Sequence, residues 1–339
     1  MTTMVRIAAC AAALASIFAC NKVETPQMGE NQVPMTKAIG DKSPIMAVYV
    51  ETNDVNPLNA GDYYFEDGNN ETFIDILELF ASNIRKETVG GVTRPTLFLN
   101  DKLANILENG GVDKYVRPLQ DMGIKVLLTN LGDHQGIGLA NMSDTQADQF
   151  ATILAAVVKH YGLDGIGFDD EYADYPWIGG TNKTSYSRII TKLHELMPSD
   201  KLITVFDWGN TNTINAAAAA CIDYAYHGYF GSYMTSTNIT GLPKSKWSPL
   251  SLNLGNNNPT STVQNYASQA KNGGYGAMMC FNLRTRNDRD PLPVFQAISN
   301  GAYDGRPVAC EDGNRSRDVV INPNGFTITY DMATTWLAK

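Results

Sequence analysis

From residue 45 onward, short apolar runs alternate with segments whose apolar residues are spaced three and four apart. The first pattern predicts strands and the second predicts helices. The predicted strands are 45–51, 96–100, 125–130, the stretch 163–172, 202–207, 224–229, 250–254 and 275–282. The predicted helices are 73–84, 102–107, 112–122, 145–161, 186–197, 216–221, 263–272 and one that begins at residue 293. Strands that alternate with helices in this way predict an α/β fold, a single-domain (β/α)8 TIM barrel over residues 45–301.

A doubly wound open sheet is the alternative architecture for alternating strands and helices. That fold is expected to place a glycine-rich phosphate-binding loop after its first strand. Here the first predicted strand ends at Glu51 and is followed by Thr52-Asn53-Asp54. The barrel is therefore favoured.

Polar and aromatic residues stand at the predicted carboxyl ends of the strands, where a TIM barrel carries its chemistry. Acids and amides can hydrogen-bond sugar hydroxyls, and aromatic rings offer flat faces for stacking. The candidate substrate-binding residues are Glu51, Asn100, Asn130, Asp207, Trp208 and Asn282. The four histidines, at positions 134, 160, 194 and 227, are scattered and no three-ligand spacing is found, so no metal is expected.

The composition narrows the classes of partner. The chain has a net charge of −9 and an isoelectric point near 5.0. A chain with no basic patch cannot neutralise phosphates, which argues against a nucleic-acid partner. Three cysteines lie beyond the first twenty residues, an odd number with no paired short spacing, so neither a disulfide framework nor a zinc site is predicted. Cys280, within an apolar run, is predicted to be a buried thiol.

Residues 1–20 have the features of an export signal rather than of a folded segment. Arg6 precedes an apolar stretch, 7–18, that is too short to span a bilayer. The segment ends as a bacterial lipoprotein signal does, with Cys20 as the predicted lipidated residue; an ordinary signal peptide is the alternative. Residues 21–44 are polar and predict a flexible tether. We therefore expect an exported protein that is bound to the cell envelope, at the outer membrane or cell surface, through a lipid anchor only.

The stretch 163–172 joins a strand-like alternation to three adjacent acids. On a strand, residues two apart share a face, so Asp169 and Glu171 are predicted to point the same way. Each carboxyl raises the pKa of the other, and one of them then tends to hold a proton near neutral pH, as a general acid must. The plainer alternative is that these acids are helix N-caps or solvated loop residues.

This acidic stretch also carries a resemblance to a known family. The pattern Leu163-Asp164-Gly165-x-x-Phe168-Asp169-Asp170-Glu171-Tyr172 resembles glycoside hydrolase family 18, and more narrowly the bacterial endo-β-N-acetylglucosaminidases of the H and F type. Segments 49–53, 131–141, 223–229 and 275–283 resemble the first strand, the third-strand loop, and the sixth and eighth strands of those enzymes. The resemblance therefore covers essentially the whole predicted barrel.

The resemblance implies a substrate and a mechanism. The chain would cleave the β-1,4 bond of the N,N′-diacetylchitobiose core of N-linked glycans on glycoproteins. Glu171 would act as acid and base, Asp169 would orient the acetamido group of the substrate, and Tyr229 would hold the acetamido oxygen. The acetamido carbonyl would attack the anomeric carbon to give an oxazolinium, so that the anomeric configuration is retained. No cofactor is implied, and a monomer is expected.

Two other functions stay open at this point. Chitinases of the family usually carry an acid where this chain has Gly167, so a chitinase is less favoured. A non-catalytic glycan-binding protein on the same barrel generally loses the catalytic glutamate, which this chain keeps at Glu171. Beyond residue 301 the resemblance fades, and residues 302–339 are predicted to be a C-terminal extension with a β-hairpin made by 319–321 and 326–330.

Overall fold

The computed structural model describes residues 42–68, 71–176, 180–317 and 324–339. The predicted signal peptide, Cys20 and all but the last three residues of the predicted tether lie outside the described residues. In the part of the chain that the structure describes, no helix is long and apolar enough to cross a membrane.

The strands and helices are defined in chain order. The strands are β1 (Ile45–Glu51), β2 (Tyr63–Phe65), β3 (Ile76–Val89), β4 (Val92–Leu99), β5 (Lys125–Gly132), β6 (Gly165–Phe168), β7 (Leu202–Asp207), β8 (Tyr224–His227), β9 (Ser232–Tyr233), β10 (Trp247–Ser248), β11 (Leu250–Asn253), β12 (Ala277–Phe281), β13 (Val308–Cys310) and β14 (Phe326–Ile328). The α-helices are α1 (Asp101–Leu107), α2 (Arg117–Asp121), α3 (Asp144–Tyr161), α4 (Ser185–Leu196), α5 (Ala216–Cys221), α6 (Thr260–Asn272), α7 (Leu292–Ala302) and α8 (Tyr330–Ala338). Short 3₁₀ turns span Pro57–Asp62, Thr211–Thr213 and Lys244–Lys246, and a π turn spans Val112–Val116.

A curled, mainly parallel sheet forms the centre of this α/β fold. Its strands follow the order β10-β8-β7-β6-β5-β3-β1-β12-β11-β9, and each pair along this path is parallel except β11 with β9. Alternate side chains point to opposite faces of a strand. One face forms an inner apolar cluster that includes Tyr49, Leu127 and Met279, and the other packs against the helices. The carboxyl ends of the parallel strands therefore meet at one edge of the sheet.

One predicted element is wrong. Residues 73–84 were predicted to be a helix, but this segment leads into β3, which takes the second place in the sheet, between β1 and β5. The predicted second strand, 96–100, belongs instead to β4, which pairs antiparallel with β3 outside the main path. The physical reason is that β3 is buried on both faces over its first residues. A strand buried on both faces has a nearly continuous apolar run, whose spacing does not distinguish it from a buried helix.

The described residues of the predicted extension, 302–317 and 324–339, pack against the rest of the fold. β13 pairs antiparallel with β2, and β14 pairs antiparallel with β4. α8 lies beside α3, where the Trp336 ring stacks on His160 with ring centroids 3.9 Å apart. One arm of the predicted hairpin, 319–321, lies outside the described residues; the other is β14, followed directly by α8. Cys280 is fully buried, as predicted.

A buried ion pair joins the start of the described chain to the amino-terminal end of the sheet. Lys42 Nζ lies 2.5 Å from Asp75 Oδ1, and the two side chains are each 4% exposed. Asp75 Oδ2 accepts a hydrogen bond from the Met46 amide. Burial raises the pKa of Asp75 to about 6 although Lys42 acts to lower it. Desolvation therefore outweighs the attraction between the two charges at this carboxyl.

We expect Lys42→Met to lower the free energy of unfolding by about 3 to 5 kcal/mol at neutral pH, because it leaves the Asp75 carboxylate buried and unpaired. The deficit should shrink at about pH 5, where Asp75 can take up a proton. Urea unfolding at both pH values measures this. As a control, Lys192→Met breaks the exposed pair with Glu195 and should change the unfolding free energy by less than about 1 kcal/mol. Equal losses in the two variants would contradict the prediction.

Candidate active site

A cavity of about 450 Å³ opens at the carboxyl ends of the parallel strands. Three acids line it, namely Glu51, Asp169 and Glu171. Most of its other lining residues are aromatic: Tyr49, Phe80, Tyr172, Phe206, Trp208, Phe230 and Phe281. Concave sites with apolar walls and a few convergent polar groups are typical of ligand-binding sites. Asp169 and Glu171 therefore share a cavity, as their spacing predicted.

Asp169 is the more buried of the two predicted catalytic acids. It follows β6 directly, and its amide donates to the Asn130 carbonyl, so the ladder with β5 fixes its backbone. The side chain is buried, and its Oδ1 has no hydrogen-bond partner among the described protein atoms. Burial raises the pKa of Asp169 well above its usual range, and the charges of Glu171 and Asp170 add to the effect. Asp169 lines the cavity, and a buried carboxyl oxygen without a protein partner needs a hydrogen-bond donor, which a ligand can supply.

Glu171 lines the same cavity and is half-buried, so it is more exposed than Asp169. Its backbone carbonyl accepts a hydrogen bond from the Gly132 amide, which ties this loop to the end of β5. Burial raises the pKa of Glu171, and the charge of Asp170 raises it further. A half-buried carboxyl with a raised pKa can hold a proton and still reach a ligand, which are the two requirements for a general acid.

Asp170, between the two acids, points away from the cavity, as the period of a strand predicts. One of its oxygens accepts from the Tyr175 hydroxyl, and Oδ2 accepts from the Asn210 amide and from Asn210 Nδ2 at 2.9 and 2.8 Å. These bonds connect the loop after β6 to the loop after β7. Asp170 is therefore occupied in holding the site together.

Aromatic rings form the walls of the cavity. Phe230 stacks between Phe206 and Phe281, with ring centroids 5.9 and 5.4 Å away. Trp208 also lines the cavity and is 37% exposed. A Cβ atom on Gly228 would lie 2.6 Å from Trp208 Cε3, so the missing side chain at 228 leaves the space that the indole occupies.

Tyr229, predicted to contact the substrate at the catalytic centre, lies at the rim. It is 55% exposed, and its ring meets the edge of Trp208 with centroids 5.3 Å apart. Its neighbours Gly228 and Phe230 line the cavity, whereas Tyr229 is not among the described lining residues. The structure thus brings Tyr229 beside Trp208 rather than beside Asp169.

The other predicted substrate-binding residues divide into two groups. Glu51 and Trp208 line the cavity, whereas Asn100, Asn130, Asp207 and Asn282 are not among the described residues that line it. The Asn100 side chain caps the start of α1, and Asp207 accepts hydrogen bonds from Thr211, Thr237 and Asn238. Strand ends also need helix caps and loop anchors, so an acid or amide there is not always directed at a ligand.

Sequence reasoning missed several aromatic residues of the cavity. Phe80 lies in β3, which was predicted to be a helix, so its place at a strand end was not visible. Phe206 lies two residues after Thr204 in a correctly predicted strand, so the two side chains share a face. The period of two could therefore have assigned Phe206 to the inner face. Tyr172 follows Glu171 directly, and its φ of +56° is a left-handed conformation that non-glycine residues adopt rarely.

Comparison with known proteins places the chain in a family. No family model matches it. It is 34% identical over 267 residues to an endo-β-N-acetylglucosaminidase of Flavobacterium sp. (strain SK1022), a match that covers 77% of this chain and 81% of the relative. It is 32% identical over 271 residues to endo-β-N-acetylglucosaminidase F1 of Elizabethkingia meningoseptica, which covers 75% of this chain and 77% of that protein.

Solved structures of one further protein are similar over most of the chain. The crystal structure of EndoBT-3987 of Bacteroides thetaiotaomicron with Man5GlcNAc product superposes with a TM-score of 0.69 at 28% identity, and covers 86% of this chain and 67% of that one. The same protein in complex with Man9GlcNAc2Asn substrate gives a TM-score of 0.66 at 27% identity, and covers 86% and 72%. The two relatives that are more than 30% identical match this chain over more than two thirds of their own length. The chain therefore belongs to the endo-β-N-acetylglucosaminidases of glycoside hydrolase family 18 and is a glycoside hydrolase.

Proposed function

We propose that this enzyme hydrolyses the β-1,4 bond between the two N-acetylglucosamine residues in the core of N-linked glycans. The observation that carries the proposal is the pairing of Asp169 and Glu171 in one aromatic-walled cavity, in a chain whose relatives are endo-β-N-acetylglucosaminidases. The similar protein EndoBT-3987 has a substrate with two N-acetylglucosamines and a product with one. Cleavage of the bond between those two N-acetylglucosamines accounts for the number of N-acetylglucosamines in the substrate and in the product.

In the first step Glu171 donates its proton to the glycosidic oxygen. The sugar whose anomeric carbon is bonded to that oxygen supplies the attacking group. Its acetamido carbonyl oxygen forms a bond to the anomeric carbon, and the bond from the anomeric carbon to the glycosidic oxygen breaks. The products are an oxazolinium ion and a glycoprotein that keeps one N-acetylglucosamine. The raised pKa of Glu171, caused first by burial, favours the protonated form that this step needs. An attacking group that belongs to the substrate is already positioned, which removes the need for an external nucleophile.

Asp169 accepts a hydrogen bond from the acetamido N–H and stabilises the positive charge of the oxazolinium. Its buried Oδ1 has no protein partner, which supports this role. Burial favours the protonated form in the free enzyme, whereas the N–H donor and the developing cation favour the carboxylate. In the second step water attacks the anomeric carbon, Glu171 takes the proton from that water, and the configuration is retained.

The remaining substrate contacts are assigned to residues in the walls of the cavity. Glu51 and Trp208 are proposed to bind sugar, Glu51 through hydrogen bonds and Trp208 through its exposed face. The assignment of Tyr229 to the acetamido oxygen depends on the resemblance alone. Its place at the rim beside Trp208 supports a contact with the sugar that stacks on Trp208.

We expect Trp208→Ala to raise KM about tenfold, which corresponds to about 1.4 kcal/mol of binding, with kcat changed less than KM. The reason is that the stacking face contacts the substrate equally before and during the reaction. Steady-state kinetics on a homogeneous glycopeptide measures both constants. Trp336→Ala is the matched control, because that ring stacks on His160 away from the cavity. If Trp336→Ala raises KM as much as Trp208→Ala does, the assignment of Trp208 is wrong.

The finer architecture is also a proposal. We infer that the sheet closes into an eight-stranded (β/α)8 barrel in which the seventh strand is β10 together with β11. The support is that only Pro249 separates these two segments, while β10 pairs with β8 and β11 pairs with β12. A proline has no amide hydrogen for the ladder, which accounts for the interruption.

An exported monomer that is held to the cell envelope through lipidated Cys20 is the proposed cellular form. Its support is the sequence of the first twenty residues, with an apolar stretch after Arg6. Metabolic labelling with a fatty acid tests it: wild type should carry the label and Cys20→Ser should not. Label on both proteins, or on neither, would contradict the anchor.

Mass spectrometry of a high-mannose glycoprotein, incubated with the chain that begins after Cys20, tests the reaction. A product that retains a single N-acetylglucosamine on asparagine is expected. Parallel incubations with complex-type glycoproteins and with chitooligosaccharides separate the glycan classes from the chitinase alternative. If no substrate is cleaved while the protein still binds an immobilised glycan, the proposal is wrong and the chain is a binding protein.

A further inference from the structure

A third carboxyl, Glu78, lies inside the sheet beneath the cavity and has no part in the mechanism above. It belongs to β3 and is fully buried. Its Oε2 accepts from the Thr129 hydroxyl at 2.8 Å, and its Oε1 accepts from the Thr204 hydroxyl at 2.5 Å. These hydroxyls come from β5 and β7, and neither carries a charge. A buried carboxyl held only by neutral donors destabilises a fold relative to an apolar residue, so it points to a functional reason.

Gly167 provides the space for this carboxyl. A Cβ atom at position 167 would lie 2.4 Å from Glu78 Oε2, and 2.9 and 3.0 Å from the hydroxyls of Thr129 and Thr204. Gly167 precedes Asp169 by two positions, and residues two apart point to the same face. The Glu78 carboxyl therefore lies one layer below Asp169, on the same inner face of the sheet.

Two tyrosines of the inner apolar cluster carry buried hydroxyls within reach of the Glu78 charge. Tyr49 of β1 and Tyr226 of β8 have ring centroids 6.0 Å apart. Neither hydroxyl has a hydrogen-bond partner among the described protein atoms, and the same is true of Asp169 Oδ1. Burial raises the pKa of both tyrosines; the charge of Glu78 raises it further for both, and that of Asp169 further for Tyr49. Tyr49 thus lies within electrostatic reach of both carboxyls.

We propose that Glu78 is a positioning residue of the active site, which enters the space left by Gly167 and supports Asp169 from the layer below it. This inference rests on the proposed function, in which Asp169 holds the acetamido group. In its protonated form Glu78 is a neutral donor to this cluster. In its ionised form it places a negative charge beneath Asp169 and favours the protonated, inactive form of that carboxyl.

The titration of Glu78 falls within the range where the enzyme can be assayed. Burial raises the pKa of Glu78 to about 7, although the two threonine hydroxyls act to lower it. The titratable groups whose pKa the Glu78 charge raises are Tyr49 and Tyr226, and Asp169 lies one layer above on the same face. Activity is therefore expected to decline as pH rises through about 7, because Glu78 ionises there.

Two variants of Glu78 test the proposal. Glu78→Gln keeps the size and the neutral donor, so we expect kcat near the wild-type value at about pH 5.5 and an alkaline decline that moves up by at least about one pH unit. Glu78→Ala removes the support, so we expect kcat to fall about 10- to 100-fold at about pH 5.5, with KM within about threefold of wild type. If Glu78→Gln keeps the wild-type pH profile, or Glu78→Ala keeps the wild-type kcat, the proposal is overturned.

The matched control is Asp75→Asn, which changes another buried acid with a raised pKa, directly before the first residue of β3 and paired with Lys42. It should lower the melting temperature and leave the alkaline decline in place. If it moves the decline as Glu78→Gln does, the effect is general to buried acids and the proposal fails. If wild type cleaves glycans and Glu78→Gln is indistinguishable from it, only this inference is wrong; if wild type cleaves none, the proposed function is wrong as well.

Thermal unfolding tests the position of the carboxyl without any activity. The folded pKa of Glu78 is above its ordinary value, so its contribution to stability is present at low pH and is lost as pH rises through about 7. Glu78→Gln should therefore lose less melting temperature than wild type between about pH 5 and pH 8. Gly167→Ala should lower the melting temperature more in the wild-type background than in the Glu78→Ala background. The reason is that the new Cβ atom collides with Glu78 Oε2 in the first background, whereas the second has no Oε2 atom. Equal losses in the two backgrounds would overturn the placement of the carboxyl at Gly167.

Discussion

Glu171→Gln should lower kcat by at least about a thousandfold while glycan binding stays within about threefold of wild type. The amide is nearly the same size as the carboxyl, so the cavity keeps its shape, but it has no acidic proton for the glycosidic oxygen. The base that accepts a proton from water in the second step is lost as well. Stopped assays on a homogeneous glycopeptide give kcat, and calorimetric titration with the same glycopeptide gives the affinity.

Glu195→Gln is the matched control for this substitution. Glu195 lies on α4, where its exposed side chain pairs with Lys192, and the variant should match wild type in both measurements. Turnover by Glu171→Gln at more than about a tenth of the wild-type rate would mean that another group donates the proton. Weakened binding with intact turnover would recast Glu171 as a recognition residue.

Asp169→Asn should lower kcat by about 100- to 1000-fold, with a smaller effect on KM. Asparagine can still accept the acetamido N–H through its carbonyl oxygen, so the substrate can bind. It cannot supply the negative charge that stabilises the oxazolinium, which develops only as the reaction proceeds. An increase in KM without a loss of kcat would show that Asp169 selects the substrate and does not assist the reaction.

The same variant should be more stable than wild type at about pH 8. Burial, with the charges of Glu171 and Asp170, raises the pKa of Asp169 in the folded state. The stability gained from its bound proton is therefore present at low pH and is lost as pH rises through the folded pKa. The asparagine side chain does not ionise, so Asp169→Asn avoids this loss. Thermal unfolding at about pH 5 and pH 8 measures the difference, and a variant less stable than wild type at both would contradict it.

Asp170→Asn separates the catalytic pair from its structural neighbour. The Asp170 carboxylate accepts hydrogen bonds from Tyr175 and Asn210, which join two loops of the site. We expect this variant to lose about 1 to 3 kcal/mol of unfolding free energy and at most about tenfold in kcat. Activity as low as that of Asp169→Asn, with no loss of stability, would mean that the two adjacent acids have been assigned the wrong roles.

Much of the fold could be predicted because the period of the apolar residues indicates most of the strands and helices. The segment 125–130 and the helix 145–161 are examples that fall within β5 and α3. β3 could not be identified in this way because it is buried on both faces, and the sequence around it fits a helix equally well. The neighbouring β4 was then placed in the main sheet by mistake.

The shared cavity of Asp169 and Glu171 could be predicted because the period-two alternation of β6 continues into the residues directly after it. The substrate-binding residues were harder to identify, since Asn100 and Asp207 also stand at strand ends but cap a helix and anchor a loop. Glu78 could not be predicted at all. The Glu78 carboxyl lies against Gly167, but the two residues are far apart in the chain. Only the three-dimensional packing brings them together.

The stereochemistry of the released glycan tests the substrate-assisted mechanism most directly. Proton NMR, recorded as wild-type enzyme cleaves a high-mannose glycopeptide, reads the anomeric configuration of the new reducing end before mutarotation. Attack by the acetamido carbonyl followed by attack of water inverts the anomeric carbon twice, so the β-anomer should appear first and the α-anomer should grow in later. Initial release of the α-anomer would show a single displacement by water and would contradict the roles given to Asp169 and Glu171.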